Sequence, residues 1–116
     1  MSINKEKRRL KIRKSIRSKI SGTKERPRVS VFKSNKAIYS QIIDDMSGST
    51  LVSCSSVEIK KFGKNNIESS KEVGVKLAEK AKKKGIKKVL FDRGGYVYHG
   101  KIKSFAEGAR EGGLIF

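Results

Sequence analysis

Asp92, Arg93, Tyr96, Tyr98 and His99 fall within eight residues around the pair Gly94-Gly95, and His99 is the only histidine in the chain. The cluster invites a catalytic reading that its partners do not support. There is no second histidine, no serine elbow and no pair of carboxylates beside His99. A metal-dependent nuclease needs several convergent carboxylates to hold its ions. Asp44, Asp45 and Asp92, brought together at sheet ends, are the acids that would have to supply them. The expectation is therefore no enzyme, no catalytic residue, no metal and no cofactor, with a small metal-dependent nuclease as the remote alternative.

The same residues suit the binding of a polyanion. Arg93 offers a planar five-donor fork to a phosphate or a guanine edge. Gly94 and Gly95 would let backbone N–H groups approach a phosphate without side-chain obstruction. Tyr96, Tyr98 and His99 can stack on bases or bond to sugar hydroxyls, although one tyrosine is expected to serve the core and His99 fits a structural role equally well. Asp92 is expected to orient Arg93 or to cap a turn. Lys101 stands at the start of a helix, whose N-terminus favours anions.

A loop of this kind needs a strand before it and a helix after it. Val89-Leu90-Phe91 ends a predicted strand over residues 88–91, and Ile102, Phe105, Ala106 and Ala109 recur at helical spacing over 101–112. That arrangement puts the loop at the carboxyl edge of a sheet, where α/β folds hold their sites. Upstream, residues 29–34 and 37–44 read as strands joined by Asn35-Lys36. A two-residue turn sets Ser34 opposite Ala37, Phe32 opposite Tyr39, Ser30 opposite Gln41 and Val29 opposite Ile42. Val29, Val31, Ile38 and Ile42 then share a core face. Ser30, Phe32, Ser34, Tyr39 and Gln41 share the other, with Lys33 and Lys36 near the tip. That second face is either a cross-strand aromatic pair that steadies the sheet or a stacking surface for RNA; the pattern allows both.

A third strand over 50–55 adds the hydroxyls of Ser53 and Ser55, with Ser56 just beyond. A loop with Lys60, Lys61 and Lys64 leads to a helix over 67–84, capped by Asn65 or Asn66 and ended by Gly85. Gly74 inside that helix suggests a close approach to the sheet. Lys80 and Lys82 to Lys84 complement the negative helix end or meet a second polyanion. Leu114-Ile115-Phe116 is expected to tuck back as a plug. The predicted fold is α/β: one small domain with a mixed, mainly antiparallel four-stranded sheet in the order β-β-β-α-β-α, its two helices mainly on one face.

Charge names the class of partner. The chain has 29 Lys+Arg against 11 Asp+Glu, a net +18 over 116 residues. Residues 1 to 28 contribute +10 of this through Lys5, Lys7, Arg8, Arg9, Lys11, Arg13, Lys14, Arg17, Lys19, Lys24, Arg26 and Arg28 against two glutamates. Residues 1–24 form a basic extension, with Ile12, Ile16 and Ile20 on one potential helix face. Like-charge repulsion should leave it disordered alone and helical on RNA; residues 25–116 form the domain. The extension lacks the broad apolar face of an interfacial helix, and no run approaches a membrane span, so no membrane partner and a cytoplasmic location are expected. Cys54 is the only cysteine and reads as a small buried residue. A nucleic-acid chaperone driven by charge alone remains the alternative to a specific RNA-binding protein.

Four segments carry a resemblance. Residues 28–36 with Ile38-Tyr39-Ser40-Gln41, then Thr50-Leu51 with Ser53 to Ser56, then residues 91–101, and finally residues 109–116 together resemble the bacterial 5S-rRNA-binding protein family of the large ribosomal subunit, the eighteenth in its series. The resemblance spans about Pro27 to Phe116. It implies a non-enzymatic constituent of the large subunit that binds 5S rRNA, helps attach it to 23S rRNA in the central protuberance, neighbours other 5S-associated proteins, and is monomeric outside the ribosome. Carried over, RNA contact falls to the basic residues of 1–28, to Ser34, Asn35, Lys36 and Tyr39, and to Arg93, Gly94, Gly95, His99 and Lys101. Lys33 and Lys101 stand where the family often has arginine, which keeps charge but removes the bidentate fork.

Overall fold

Strict alternation over residues 28–44 makes one face of a hairpin apolar, and that face is the floor of the core. In the computed structural model the elements are α1 (Ser2–Lys19), β1 (Arg28–Lys33), β2 (Ile38–Asp44), β3 (Ser49–Ser55), α2 (Ile67–Lys83), β4 (Leu90–Asp92) and α3 (Gly100–Glu111). The structure describes residues 2–19, 21–34, 37–59 and 67–116, with α1 side chains described over residues 6–16. The Asn35-Lys36 turn, Ile20, the loop lysines Lys60, Lys61 and Lys64 and the cap at Asn65 or Asn66 lie outside the described residues. So do the side chains of Lys5, Arg17 and Lys19.

The sheet order is β3-β2-β1-β4. β1 and β2 pair antiparallel with Phe32 opposite Tyr39, Ser30 opposite Gln41 and Val29 opposite Ile42, as the turn length predicts. β4 runs parallel to β1, since a helix connection can return a strand in the same direction. It is shorter than predicted. Lys88 pairs instead with Ile115 in an isolated bridge, and Leu90 begins the pairing with a bond from its N–H to Pro27 O.

Val29, Val31, Ile38, Ile42, Val52 and Cys54 are buried beneath Val73, Leu77 and Ala81 of α2 and Ile102, Phe105 and Ala109 of α3. Each large apolar side chain sealed there contributes roughly 1.5–3 kcal/mol. Ser40, on the same face, satisfies its hydroxyl by donating to Cys54 O at 2.7 Å.

Gly74 corrects the sequence reading. Its close neighbour is not the sheet but α3: a Cβ there would strike the Phe105 carbonyl, and one on Gly108 would strike Lys71 O. The two helices run in the same direction and meet backbone to backbone at these glycines. Gly85 (φ 75°) ends α2, and Ile86 N–H returns to Ala81 O at 2.9 Å. At the C-terminus Leu114 is buried, Ile115 is exposed, and Phe116 stacks on Phe91 with ring centroids 5.3 Å apart. α2 and α3 thus cover one face of the sheet, and α1 lies against part of the other.

Candidate nucleic-acid interface

The loop after β4 is held by its own residues. Asp92 is 2 % exposed; its Oδ1 accepts the Gly94 N–H at 2.8 Å and its Oδ2 accepts Arg28 Nη1 at 2.9 Å. It therefore caps the turn, as one of the two expected roles has it, but its cationic partner is Arg28 and not Arg93. Arg93 turns back to donate to Tyr96 O at 2.6 Å. The Tyr96 hydroxyl lies 3.2 Å from both the N and the O of Lys33, locking the loop to the end of β1. Gly94 and Gly95 have φ of 65° and 81°, the left-handed region that glycine enters at little cost.

α1 closes over this loop. Arg9 Nε donates to Gly94 O at 3.3 Å, and its guanidinium sits 4.4 Å from the centre of the Tyr96 ring. A Cβ on Gly95 would stand 2.5 Å from Arg9 O. The phosphate cradle expected at Gly94-Gly95 is thus corrected. Gly94 spends its N–H on Asp92, and the space above Gly95 is filled by Arg9 and Arg13. Tyr96 is likewise a strut, half-buried between Arg9 and Lys33, whose Nζ lies 5.4 Å from the ring. These glycines let helix and loop approach each other closely.

Arg28 is a second correction. The sequence reading puts it among the residues that face RNA, yet it is 4 % exposed. Its Nε and Nη2 meet the Asp45 carboxylate at 3.0 and 3.1 Å, and Nη1 meets Asp92. Burial alone pulls the guanidinium down, but the hydrogen bonds and charge of Asp45, then Asp92, outweigh it and hold the group above its ordinary value. Asp45 also accepts the Gly22 N–H at 2.6 Å, so this ionic knot ties the segment after α1 to the loop after β4. Two of the three acids considered for a nuclease do converge, but around an arginine. Asp44 instead accepts the Met46 N–H in the neighbouring turn. Among the described residues no group of three or more metal-ligating side chains forms.

What remains accessible is a continuous cationic and aromatic surface. On α1, Lys7, Arg8, Lys11, Arg13 and Lys14 are exposed and Arg9 is half-buried, while Ile12 and Ile16 turn partly inward. A cleft of about 360 Å³ runs between α1 and the sheet, lined by Arg9, Arg13, Lys14, Ser30 and Phe32 among others. Beyond it Phe32 (49 % exposed) and Tyr39 (37 %) form a tilted pair with centroids 6.0 Å apart. Gln41 and Ser53 are exposed beside them; Ser55 is half-buried and accepts the Glu58 N–H. Ser34 is exposed and accepts the Ala37 N–H at 3.2 Å, and Lys24 and Arg26 are exposed before β1.

The far limb of the loop presents Val97, Tyr98 and His99 to solvent, with Lys101 half-buried. His99 occupies the N-cap position of α3 without a side-chain cap bond. Tyr98 packs edge-on against Phe91, centroids 6.1 Å apart. Sequence reasoning named Asp45 only as a possible metal ligand and missed its pairing with Arg28, which leaves no local signal. It also missed the exposure of Val97 (74 %), for which an apolar residue between two tyrosines was the only hint. Such a surface can stack on unpaired bases and neutralise phosphates; it offers no evident acid–base pair.

A family model described as ribosomal L18 of archaea, bacteria, mitochondria and chloroplast matches residues 3–116. The large ribosomal subunit protein uL18 of Desulfotalea psychrophila is 62% identical over 105 residues, covering 87% of this chain and 86% of that protein. Those of Clostridium kluyveri and Thermotoga petrophila are 57% identical over 115 residues and 53% over 117, each covering 97% of this chain and 96% of the relative.

Proposed function

The chain belongs to the ribosomal L18 family, and from that premise we propose that it binds 5S rRNA, helps attach it to 23S rRNA in the central protuberance, and catalyses no reaction. It is a structural protein of the large ribosomal subunit and works in the cytoplasm as part of the ribosome. The observation that carries the finer reading is the uncovered sheet face, where an exposed aromatic pair lies next to a helix whose outward cations are exposed. RNA that is bulged or single-stranded offers bases to the rings and phosphates to the cations. The preformed sheet presents the aromatics with little ordering cost, and 5S-associated proteins would sit alongside.

Phosphate contact releases condensed cations, so affinity for 5S rRNA should fall steeply with salt. In the full chain, replacing Arg8, Arg13 and Lys14 by glutamine should reduce the magnitude of that slope by about 2–3, at roughly 0.7–0.9 per lost contact. Bulk tRNA should compete poorly. Equal displacement of 5S rRNA by tRNA, or an unchanged slope, would sink the proposal and favour a chaperone that binds by charge alone.

A further inference from the structure

Residues 80–88 contain six lysines and no acid, and the structure divides those lysines into two groups. Lys80 Nζ donates to Ser53 O at 2.9 Å and pairs with Glu58, while Lys84 Nζ donates to Leu51 O at 2.8 Å. Those carbonyls belong to β3, which stands at the edge of the sheet with β2 as its neighbour. Two lysines one helical turn apart thus meet two carbonyls two residues apart, because a turn of helix and two residues of strand advance by similar lengths. They cover an edge that would otherwise be open to pairing.

Lys82, Lys83, Lys87 and Lys88 have no such task. All four are exposed, and none of their ammonium groups has an ion-pair or hydrogen-bond partner among the described residues. The helix dipole accounts for a cation or two within the last turn of α2 and fades beyond it. Lys87 and Lys88 lie past Gly85, on backbone held by bonds from Ile115 N–H to Lys87 O at 2.8 Å and from Val89 N–H to Ile115 O at 3.0 Å. The charges are therefore mounted on rigid backbone, where each would otherwise only repel its neighbours.

Their position separates them from the loop after β4 and from the aromatic pair, and brings them nearer to Lys24 and Arg26. They surround the amino end of β4, whereas the loop that meets Arg9 follows its carboxyl end. The six steps from Lys88 to Gly94 span at most about 20 Å at strand rise. α2 covers the face of the sheet opposite Phe32 and Tyr39.

We propose that Lys82, Lys83, Lys87 and Lys88 form a second phosphate-binding surface that takes an RNA segment separate from the one on the aromatic face. Resting on the function proposed above, this is the surface that faces 23S rRNA while the other faces 5S rRNA. Ammonium groups act as point charges without the guanidinium fork, and among the described residues no exposed ring belongs to the patch, so it reads backbone and not sequence.

The test uses the full chain carrying Lys82→Gln, Lys83→Gln, Lys87→Gln and Lys88→Gln, with matched thermal unfolding as the check on folding. A milder Lys82→Gln/Lys83→Gln variant serves if that check fails. Two steps are measured against salt: binding of isolated 5S rRNA, and capture of 23S rRNA by the preformed 5S rRNA–protein complex. The first should be unchanged. The second should weaken at least about tenfold near physiological salt, its slope falling by roughly 3 for four lost contacts. Weakening of the first step would assign the patch to the 5S surface and overturn the proposal. No change in either step would make the patch a solvated helix end and overturn it too. Unaltered RNA capture with impaired assembly only when other ribosomal proteins are present would identify a protein partner and equally overturn it. Failure of the unsubstituted chain to bind 5S rRNA would instead refute the proposed function.

Discussion

Replacing Arg28 by methionine separates a structural arginine from an RNA-facing one. The side chain is 5 % exposed, the Asp92 side chain 3 % and the Asp45 side chain 14 %. Methionine fills much of the volume but removes the guanidinium that both carboxylates meet. Asp92 keeps the Gly94 N–H and Asp45 keeps the Gly22 N–H. Removing one partner of a buried ion pair costs about 3–5 kcal/mol, because the survivor's charge stays desolvated. Asp45 can turn towards water more readily than Asp92, so the lower end, about 3 kcal/mol, is expected. At roughly 4 °C per kcal/mol for a domain of this size, the melting temperature should fall by about 12 °C. Adding Asp92→Asn should recover part of the loss, since the stranded charge is then gone. The salt slope for 5S rRNA should not move below the new melting temperature. Thermal unfolding followed by circular dichroism, with salt titrations in parallel, reads both quantities. A melting temperature within about 2 °C of the parent, together with a slope reduced by about one, would refute the buried-knot reasoning and return Arg28 to the RNA surface.

Gly74→Ala should destabilise despite alanine's better helix propensity of about 1 kcal/mol, because its Cβ strikes the Phe105 carbonyl. A net loss of about 1–3 kcal/mol in denaturant unfolding is expected, and a gain would show that the helices can slide apart. Phe32→Ala and Tyr39→Ala should each weaken 5S rRNA binding by about 1–3 kcal/mol. Their effect on stability should stay below about 1 kcal/mol; equal losses in both assays would make the pair structural. Burial pushes the Cys54 thiol up to about 11, so iodoacetamide labelling at pH 8 should proceed only through unfolding, and labelling at the rate of a free cysteine would contradict that. The Lys80 hydrogen bond lowers the Glu58 pKa from 4.5. Its contribution is therefore present above the unfolded value and lost as pH falls through the folded one. The stability difference between the parent and Glu58→Gln should be below about 1 kcal/mol at pH 7 and shrink as pH falls through the folded pKa; a difference unchanged by acid would place its source elsewhere.

The sequence by itself settled whatever depends on period and spacing. Alternation over 28–44 and a two-residue turn determined the pairing of Phe32 with Tyr39 and the choice of core face, because a slip of one residue would turn every valine and isoleucine outward. Helical spacing at Ile102, Phe105, Ala106 and Ala109 located α3 to within a residue. The glycines around residue 94 placed a loop at the carboxyl edge, and the excess of cations pointed to a polyphosphate partner. Tertiary structure alone decided which of those cations remain available. Arg28 looks like any other basic residue of the extension until Asp45 and Asp92, 17 and 64 residues away, close on it. Gly94 and Gly95 look like a phosphate cradle until α1 arrives from 85 residues upstream to occupy it. Six lysines in one run are indistinguishable until two of them reach the carbonyls of β3. Local patterns dictate where a side chain points along its own element. What it meets there is a long-range contact, and such contacts exist only once the chain has closed.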